Sequence, residues 1–190
     1  MALDIAADSA LLVIDMQQGF ADPFWGRRDN PLAEENAARI IDGWRASRRP
    51  IVMVTHASRD PRSPLHPDSA GHRLIDDLAG IEPALRITKS VNSAFYGAPD
   101  LHEWLGRAGI QQVVVIGIQT NMCNETTARM AGNLGYDVLF VIDAMHTFDV
   151  EGPDGSIVTA EELTRATAAS LHGGGFARVV RTDDVLDAVA

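Results

Sequence analysis

The sequence predicts an α/β fold: a single doubly wound domain over residues 1–190, with a six-stranded parallel sheet flanked by helices. Two patterns predict it. Strand-like and helix-like runs alternate from one end of the chain to the other. The strand-like runs are continuously apolar rather than alternating, as in strands covered on both faces by helices. The 190 residues are 46% apolar, 22% charged and 6% aromatic, which is ordinary for one globular unit. A chain this long buries roughly 70% of the surface it exposes when unfolded, so disulfides and structural metals are not needed to hold it together.

The elements follow in order. Ala10-Leu11-Leu12-Val13-Ile14-Asp15 is a first strand ending in a carboxylate. Asn30-Pro31 opens a helix, with Asn as cap and Pro at the first helical position. Ala37, Ile40, Ile41 and Trp44 fall on one face of it. Residues 50–55 make a second strand, and a Pro-, His- and Asp-rich surface loop follows over residues 58–72. Residues 86–89 are a short third strand. Pro99 opens a helix that turns Leu101, Trp104, Leu105 and Ala108 inward and stops at Gly109. Residues 112–117 form the most β-branched run, a fourth strand. A helix over residues 122–134 is closed by Gly135, and residues 136–142 make a fifth strand. Thr159-Ala160-Glu161-Glu162 is a capping box for a helix to residue 171. Residues 176–180 are the sixth strand, and a short helix ends the chain. No repeat, linker or second domain is visible.

Charge narrows the function classes. The formal net charge is −10, from 16 basic and 26 acidic side chains. Such a surface repels phosphate backbones and anionic membranes, so neither nucleic acid nor membrane is an expected partner. No apolar run approaches the roughly 20 residues of a membrane span. The opening residues lack the positive region of a secretory signal, and a lone cysteine suits a reducing compartment. A cytoplasmic protein is expected. Among the 16 basic residues Lys89 is the only lysine, which singles it out, as solitude does for Cys123.

Ligands of open α/β sheets bind outside the carboxyl ends of the strands. Strand one ends at Asp15, strand three at Lys89, and strand four runs into Gly117-Ile118-Gln119-Thr120-Asn121-Met122-Cys123, with the cysteine starting a helix. Alone, Asp15 also suits a turn cap, Lys89 a solvated strand end, and Cys123 a small buried hydrophobe. Together at three strand ends they make a nucleophile constellation. A helix N-terminus and a nearby ammonium both lower a thiol's pKa. A carboxylate in reach takes the thiol proton and later passes it to a leaving group.

The segment from Gly117 through Cys123 to Ala131 resembles the cysteine signature of the isochorismatase-like hydrolases. Leu12-Val13-Ile14-Asp15-Met16-Gln17-Gln18-Gly19-Phe20 is similar to their first strand, and Lys89-Ser90-Val91-Asn92-Ser93-Ala94-Phe95 to their lysine segment. The resemblance runs from about residue 9 to 180, in three ordered motifs. It implies the isochorismatase-like hydrolase fold and a Cys-Asp-Lys triad that opens C–N bonds through a thioester. Cys123 would be the nucleophile, Asp15 the base and then the acid, and Lys89 the stabiliser of the thiolate. It also implies a cis, non-proline peptide at Ile118–Gln119 and an oxyanion hole from the N–H groups of Gln119 and Cys123. A homo-oligomer, dimer or tetramer, is expected on the same ground.

Two departures refine this. Nicotinamidases of the family bind a metal through an Asp-x-His pair after strand two; here that strand runs into Thr55-His56-Ala57-Ser58-Arg59. His56, His66 and His72 are therefore read as loop histidines, with no metal and no cofactor expected. Isochorismatases proper cleave a vinyl ether without a cysteine nucleophile, so Cys123 favours amide chemistry. The remaining substrates are small amides: N-carbamoyl compounds, ureido acids, maleamate-like acids, biuret or the streptothricin lactam. The segment over residues 147–155 resembles that of compact actinobacterial cysteine hydrolases, near streptothricin hydrolase-like members. Position nominates Phe20, Phe24, Trp25, Asn92, Phe95, Tyr96, Asn121 and Phe148 as substrate contacts, each aromatic being equally suited to core packing. Arg27 and Arg28 read as loop residues rather than anion clamps, which leans toward a neutral or cationic amide. The competing readings are a vinyl ether hydrolase, whose activity survives loss of Cys123, and a non-catalytic member with an unshifted thiol near 8.5. A dinucleotide-binding protein needs a Gly-rich turn where Asp15-Met16-Gln17-Gln18-Gly19 stands.

Overall fold

The computed structural model describes residues 3–189. In chain order its elements begin β1 (Ala10–Ile14), α1 (Ala33–Ala46), β2 (Ile51–His56), α2 (Asp76–Ala79), β3 (Leu85–Lys89), α3 (Leu101–Ala108), β4 (Gln112–Ile118) and α4 (Glu125–Asn133). They continue with β5 (Asp137–His146), β6 (Val150–Glu151), β7 (Ile157–Val158), α5 (Ala160–Gly173), β8 (Arg178–Val180) and α6 (Thr182–Val189). Six strands form one sheet in the order β3-β2-β1-β4-β5-β8, and every pairing is parallel. This is the expected sheet.

Period-two geometry divides each central strand between two cores. In β1, Leu11 and Val13 enter a cluster with Ile40, Ile41 and Trp44 of α1 and Val185 of α6. Ala10, Leu12 and Ile14 enter the opposite cluster, with Leu101 and Leu105 of α3, Ala128 of α4 and Leu171 of α5. Every residue of β1 and β4 is buried, which is why both read as unbroken apolar runs. Each such aliphatic side chain contributes about 1.5–3 kcal/mol by leaving water. The sheet order reverses direction between β1 and β4, which opens the crevice where sites of such folds lie.

Several element boundaries differ from expectation. α1 starts at Ala33 behind Leu32, and Asn30 caps nothing: its amide donates to the carbonyls of Asp143 and Met145 instead. α3 is capped by Asp100, whose side chain accepts from the Glu103 N–H, while Pro99 sits ahead in a cis peptide with Ala98. Ala108 is exposed rather than inward, and Gly109 stops the helix in the left-handed region at φ 72°, as expected. β3 alternates buried and exposed residues because it is an edge strand. β5 runs four residues further than its apolar pattern, to His146. The α2 turn and the β6–β7 hairpin are too short to leave a periodic signal. The Thr159–Glu162 capping box forms as read.

Candidate active site

Asp15 follows β1 directly, in a left-handed conformation at φ 54°. Its N–H still donates to Val54 O (2.9 Å), so the strand ladder carries the residue to its position. An aspartate tolerates this backbone better than a branched residue does. Lys89 is the last residue of β3 and the register partner of His56 at the end of β2. Cys123 lies in a single wide turn of π-helix, Thr120–Asn124, between β4 and α4. Such turns recur at functional sites. The cysteine therefore precedes the α-helix instead of starting it, since α4 begins at Glu125.

The three side chains meet at the β1–β4 crevice. Lys89 Nζ donates to Asp15 Oδ2 (2.5 Å) and to Cys123 Sγ (3.2 Å). Asp15, Lys89 and Cys123 are all buried, the thiol being the most exposed at 8%. The second carboxylate oxygen, Asp15 Oδ1, has no hydrogen-bond partner and keeps a lone pair for a proton. The peptide Ile118–Gln119 is cis. Burial pushes the Asp15 carboxyl above its ordinary 3.8, against the pull of Lys89. Burial and the Asp15 charge push the Cys123 thiol above its ordinary value, more strongly than Lys89 lowers it. This corrects the expectation of a depressed thiol: desolvation and the Asp15 charge outweigh the ammonium.

His56 belongs to the site as well. It is the end of β2 and not a loop histidine, and its Nδ1 lies 3.2 Å from Lys89 Nζ. Asp15, His56 and Cys123 present donor atoms within 4.8 Å of one another, a spacing a metal ion could use. The Lys89 ammonium lies against all three, so a metal would have to displace it. Gln17, also unforeseen, joins the ends of β1 and β2. It accepts from His56 N (2.8 Å) and donates to His56 O (3.1 Å) and His72 O (2.8 Å). The place of His56 is set by its pairing with Lys89 across the sheet, which the apolar run before Thr55 does not announce. His66 lies on the loop, 3.7 Å from Asp68.

The nominated contacts separate into groups. Phe20, Trp25 and Phe148 pack together with centroids 5.0–6.2 Å apart, and exposed Phe24 meets Trp25 edge-on. Phe95 stacks on Tyr136 within the core that also contains Cys123. Tyr96 and Asn121 line a cavity of about 350 Å³ with Ser93, Glu125 and Arg129, while Asn92 points to solvent exposure. A cavity of about 740 Å³ walled by Gln18, Arg73, Ile75 and Asp76 includes none of Asp15, Lys89 and Cys123. Arg27 is paired with Asp149 and Glu161, and Arg28 with Glu34, so both guanidinium groups are already engaged.

The histidines predict a pH effect on stability. Burial lowers His56 from 6.5 to about 4, with Lys89 and His72 adding to it, and burial also lowers His72 and His146. Between those two pH values the unfolded chain takes up protons that the folded one refuses, so stability falls as pH drops through the window. Thermal melts followed by circular dichroism should show Tm declining from pH 7 to pH 4. His56→Asn should flatten part of that slope; an unchanged slope would contradict the assignment.

Parallel strands, the reversal between β1 and β4 and an Asp-Lys-Cys cluster at that point together define a doubly wound α/β protein with a buried polar cluster at its crevice. The match to known proteins says which. The isochorismatase domain model matches residues 9–171, and the chain belongs to that family. It is 34% identical over 178 residues to the isochorismatase family protein YrdC of Bacillus subtilis (strain 168), covering 94% of each chain. It is 31% identical to Nicotinamidase 3 of Arabidopsis thaliana, over 92% of this chain and 85% of that one. The crystal structure of an isochorismatase-family protein from Chromobacterium violaceum ATCC 12472 superposes with a TM-score of 0.92 at 34% identity, covering 100% of this chain and 97% of the other. Among the described residues no helix is long and apolar enough to cross a membrane.

Proposed function

We propose that the protein hydrolyses a C–N bond of a small neutral or cationic amide through a thioester on Cys123. The observation that carries this is the buried Lys89 ammonium bridging Asp15 (2.5 Å) and Cys123 (3.2 Å). A structural ion pair has no need of a thiol, and a structural cysteine has no need of an ammonium. The similarity to a nicotinamidase supports the amide class. The engaged state of Arg27 and Arg28 supports a substrate without a carboxylate to clamp.

The steps balance as follows. Cys123 S–H gives its proton to Asp15 as sulfur bonds to the amide carbonyl carbon. The carbonyl π electrons move to oxygen, which the N–H groups of Gln119 and Cys123 receive as the oxyanion hole. The oxyanion collapses, the C–N bond breaks, and protonated Asp15 delivers its proton to the departing nitrogen. Ammonia or an amine leaves, and a thioester remains. Water then attacks the thioester and gives a proton to Asp15; the C–S bond breaks, and the proton returns to sulfur. Lys89 stays cationic throughout and stabilises sulfur whenever it is anionic. A carboxyl held above its ordinary pKa is a better base for this task than a free one. Tyr96 and Asn121 are the proposed contacts on the 350 Å³ side.

The test is ammonia release from ureido acids, maleamate, nicotinamide and biuret, and lactam opening of a streptothricin followed by the gain of one water in mass, comparing wild type with Cys123→Ala. Turnover should fall about 10³-fold or more in the variant. Turnover that survives removes Cys123 as nucleophile and brings the vinyl ether reading forward.

A further inference from the structure

An ammonium group has three N–H donors, and Lys89 has three acceptors around it. Two are Asp15 Oδ2 and Cys123 Sγ; the third is His56 Nδ1 at 3.2 Å. We infer that His56 is a positioning residue, whose Nδ1 takes the third Lys89 proton and thereby holds the ammonium against both Asp15 and Cys123. This rests on the thiol reading of the site and adds a fourth member to it.

The backbone is built for the contact. His56 and Lys89 are register partners on adjacent parallel strands, which places their side chains on the same side of the sheet. Gln17 grips the His56 backbone from both sides, through N–H and carbonyl, and is itself buried. Gln17 is two residues from Asp15. One side chain thus ties the base's strand end to the strand end that carries the histidine.

The contact also fixes the ring's protonation. A lysine ammonium cannot accept, so Nδ1 must be bare and the ring proton must sit on Nε2. The charged and titratable groups facing the ring agree with a neutral form. Lys89 lies on β3, and His72 lies on the loop beyond, with His66 behind it; Asp15 and Cys123 lie across the ammonium. Burial, the Lys89 ammonium and the neighbouring His72 hold His56 unprotonated down to about pH 4.

A consequence follows for sulfur. Lys89 has a stronger attraction to the Asp15 carboxylate than to a neutral thiol. With the imidazole removed, nothing opposes the drift of the ammonium toward Asp15 alone, and the developing thiolate loses its cation. Cys123 is the chain's only cysteine, so thiol alkylation reports on it alone and needs no substrate.

The experiment measures the rate of iodoacetamide alkylation against pH in wild type, His56→Ala and His56→Asn. Asn places an amide oxygen where Nδ1 stands. His56→Ala should alkylate about tenfold more slowly at each pH below the thiol midpoint, equivalent to a rise of about one pKa unit. A more open site would speed the reaction, so a slower rate cannot come from access. His56→Asn should remain within about twofold of wild type, whereas a histidine that merely packs would not be rescued by an acceptor. His56→Ala reacting as fast as wild type, or His56→Asn as slow as His56→Ala, overturns the inference. Both outcomes are separate from the proposed function, which stands or falls on turnover by Cys123→Ala.

Discussion

Lys89→Met is expected to lower stability by about 3–5 kcal/mol and to abolish turnover, because it leaves the Asp15 charge buried without its counter-ion. The methionine fills similar volume, so the loss is electrostatic and not a cavity effect. The cost depends on pH, with a definite sign. Asp15 already sits above its ordinary 3.8 in the folded protein, and removing Lys89 raises it further. The folded state then binds a proton more tightly than the unfolded one, so stability is regained as pH falls toward the raised value. Urea unfolding at pH 8 and pH 5 should show the larger deficit at pH 8. The double variant Asp15→Asn with Lys89→Met removes both charges and should recover much of the lost stability while remaining inactive. If the single variant unfolds at the wild-type urea concentration at both pH values, the ion pair is not buried as described.

The same pair shows why an ion pair of this kind is better explained by chemistry than by stability. Two charges brought out of water at β1 and β3 recover their solvation cost only in part. Hydrophobic residues would hold these strand ends together as well. What they could not do is offer a proton acceptor and a fixed cation to the same sulfur. The free Asp15 Oδ1 fits that account, since a purely structural carboxylate would have both oxygens satisfied.

Much of this was legible in the chain. Strands buried on both faces leave a continuous apolar signal, so β1 and β4 could be read with the residues that end them. Asp15, Lys89 and Cys123 were legible because sheet topology converts strand ends into neighbours, whatever the distance in sequence. Other features carried no such signal. His56 followed a polar Thr at the end of an apolar run, and whether a strand runs one residue longer is set by its partner's register. The role of Gln17 depends on two loops meeting, which no periodicity encodes. The direction of the thiol shift was read wrongly because burial depth is a property of the packed site; the ammonium is visible in the sequence and the desolvation is not. Asn30 looked like a cap by its type, yet the end of β5 claims its side chain through Asp143 O and Met145 O.

Gly117→Ala should be the most disruptive substitution of its size. Gly117 holds φ 133°, and a Cβ there would lie 2.0 Å from Ile14 O and 2.8 Å from both Ile14 C and Ile14 N. All three atoms are backbone of β1, so no side chain can turn aside. The two central strands would have to part at the pair Ile14–Gly117, immediately before Asp15 and two residues ahead of Gln119. Gly135 provides the control: it has φ 91° but open space around its missing Cβ. Gly135→Ala should cost only the backbone strain, about 1–2 kcal/mol. Gly117→Ala should cost about 4 kcal/mol or more, a range reached only by severe overpacking or its equivalents. Denaturant unfolding of the two variants measures the difference, which isolates the close approach of the strands from the shared positive φ. Where Gly117→Ala remains folded at low temperature, Cys123 alkylation should change with it, because the same strand separation moves Asp15 away from the turn that carries the thiol. Equal costs for the two variants would mean that β1 and β4 are not pressed together at this point, and the crevice that assembles the site would need another explanation.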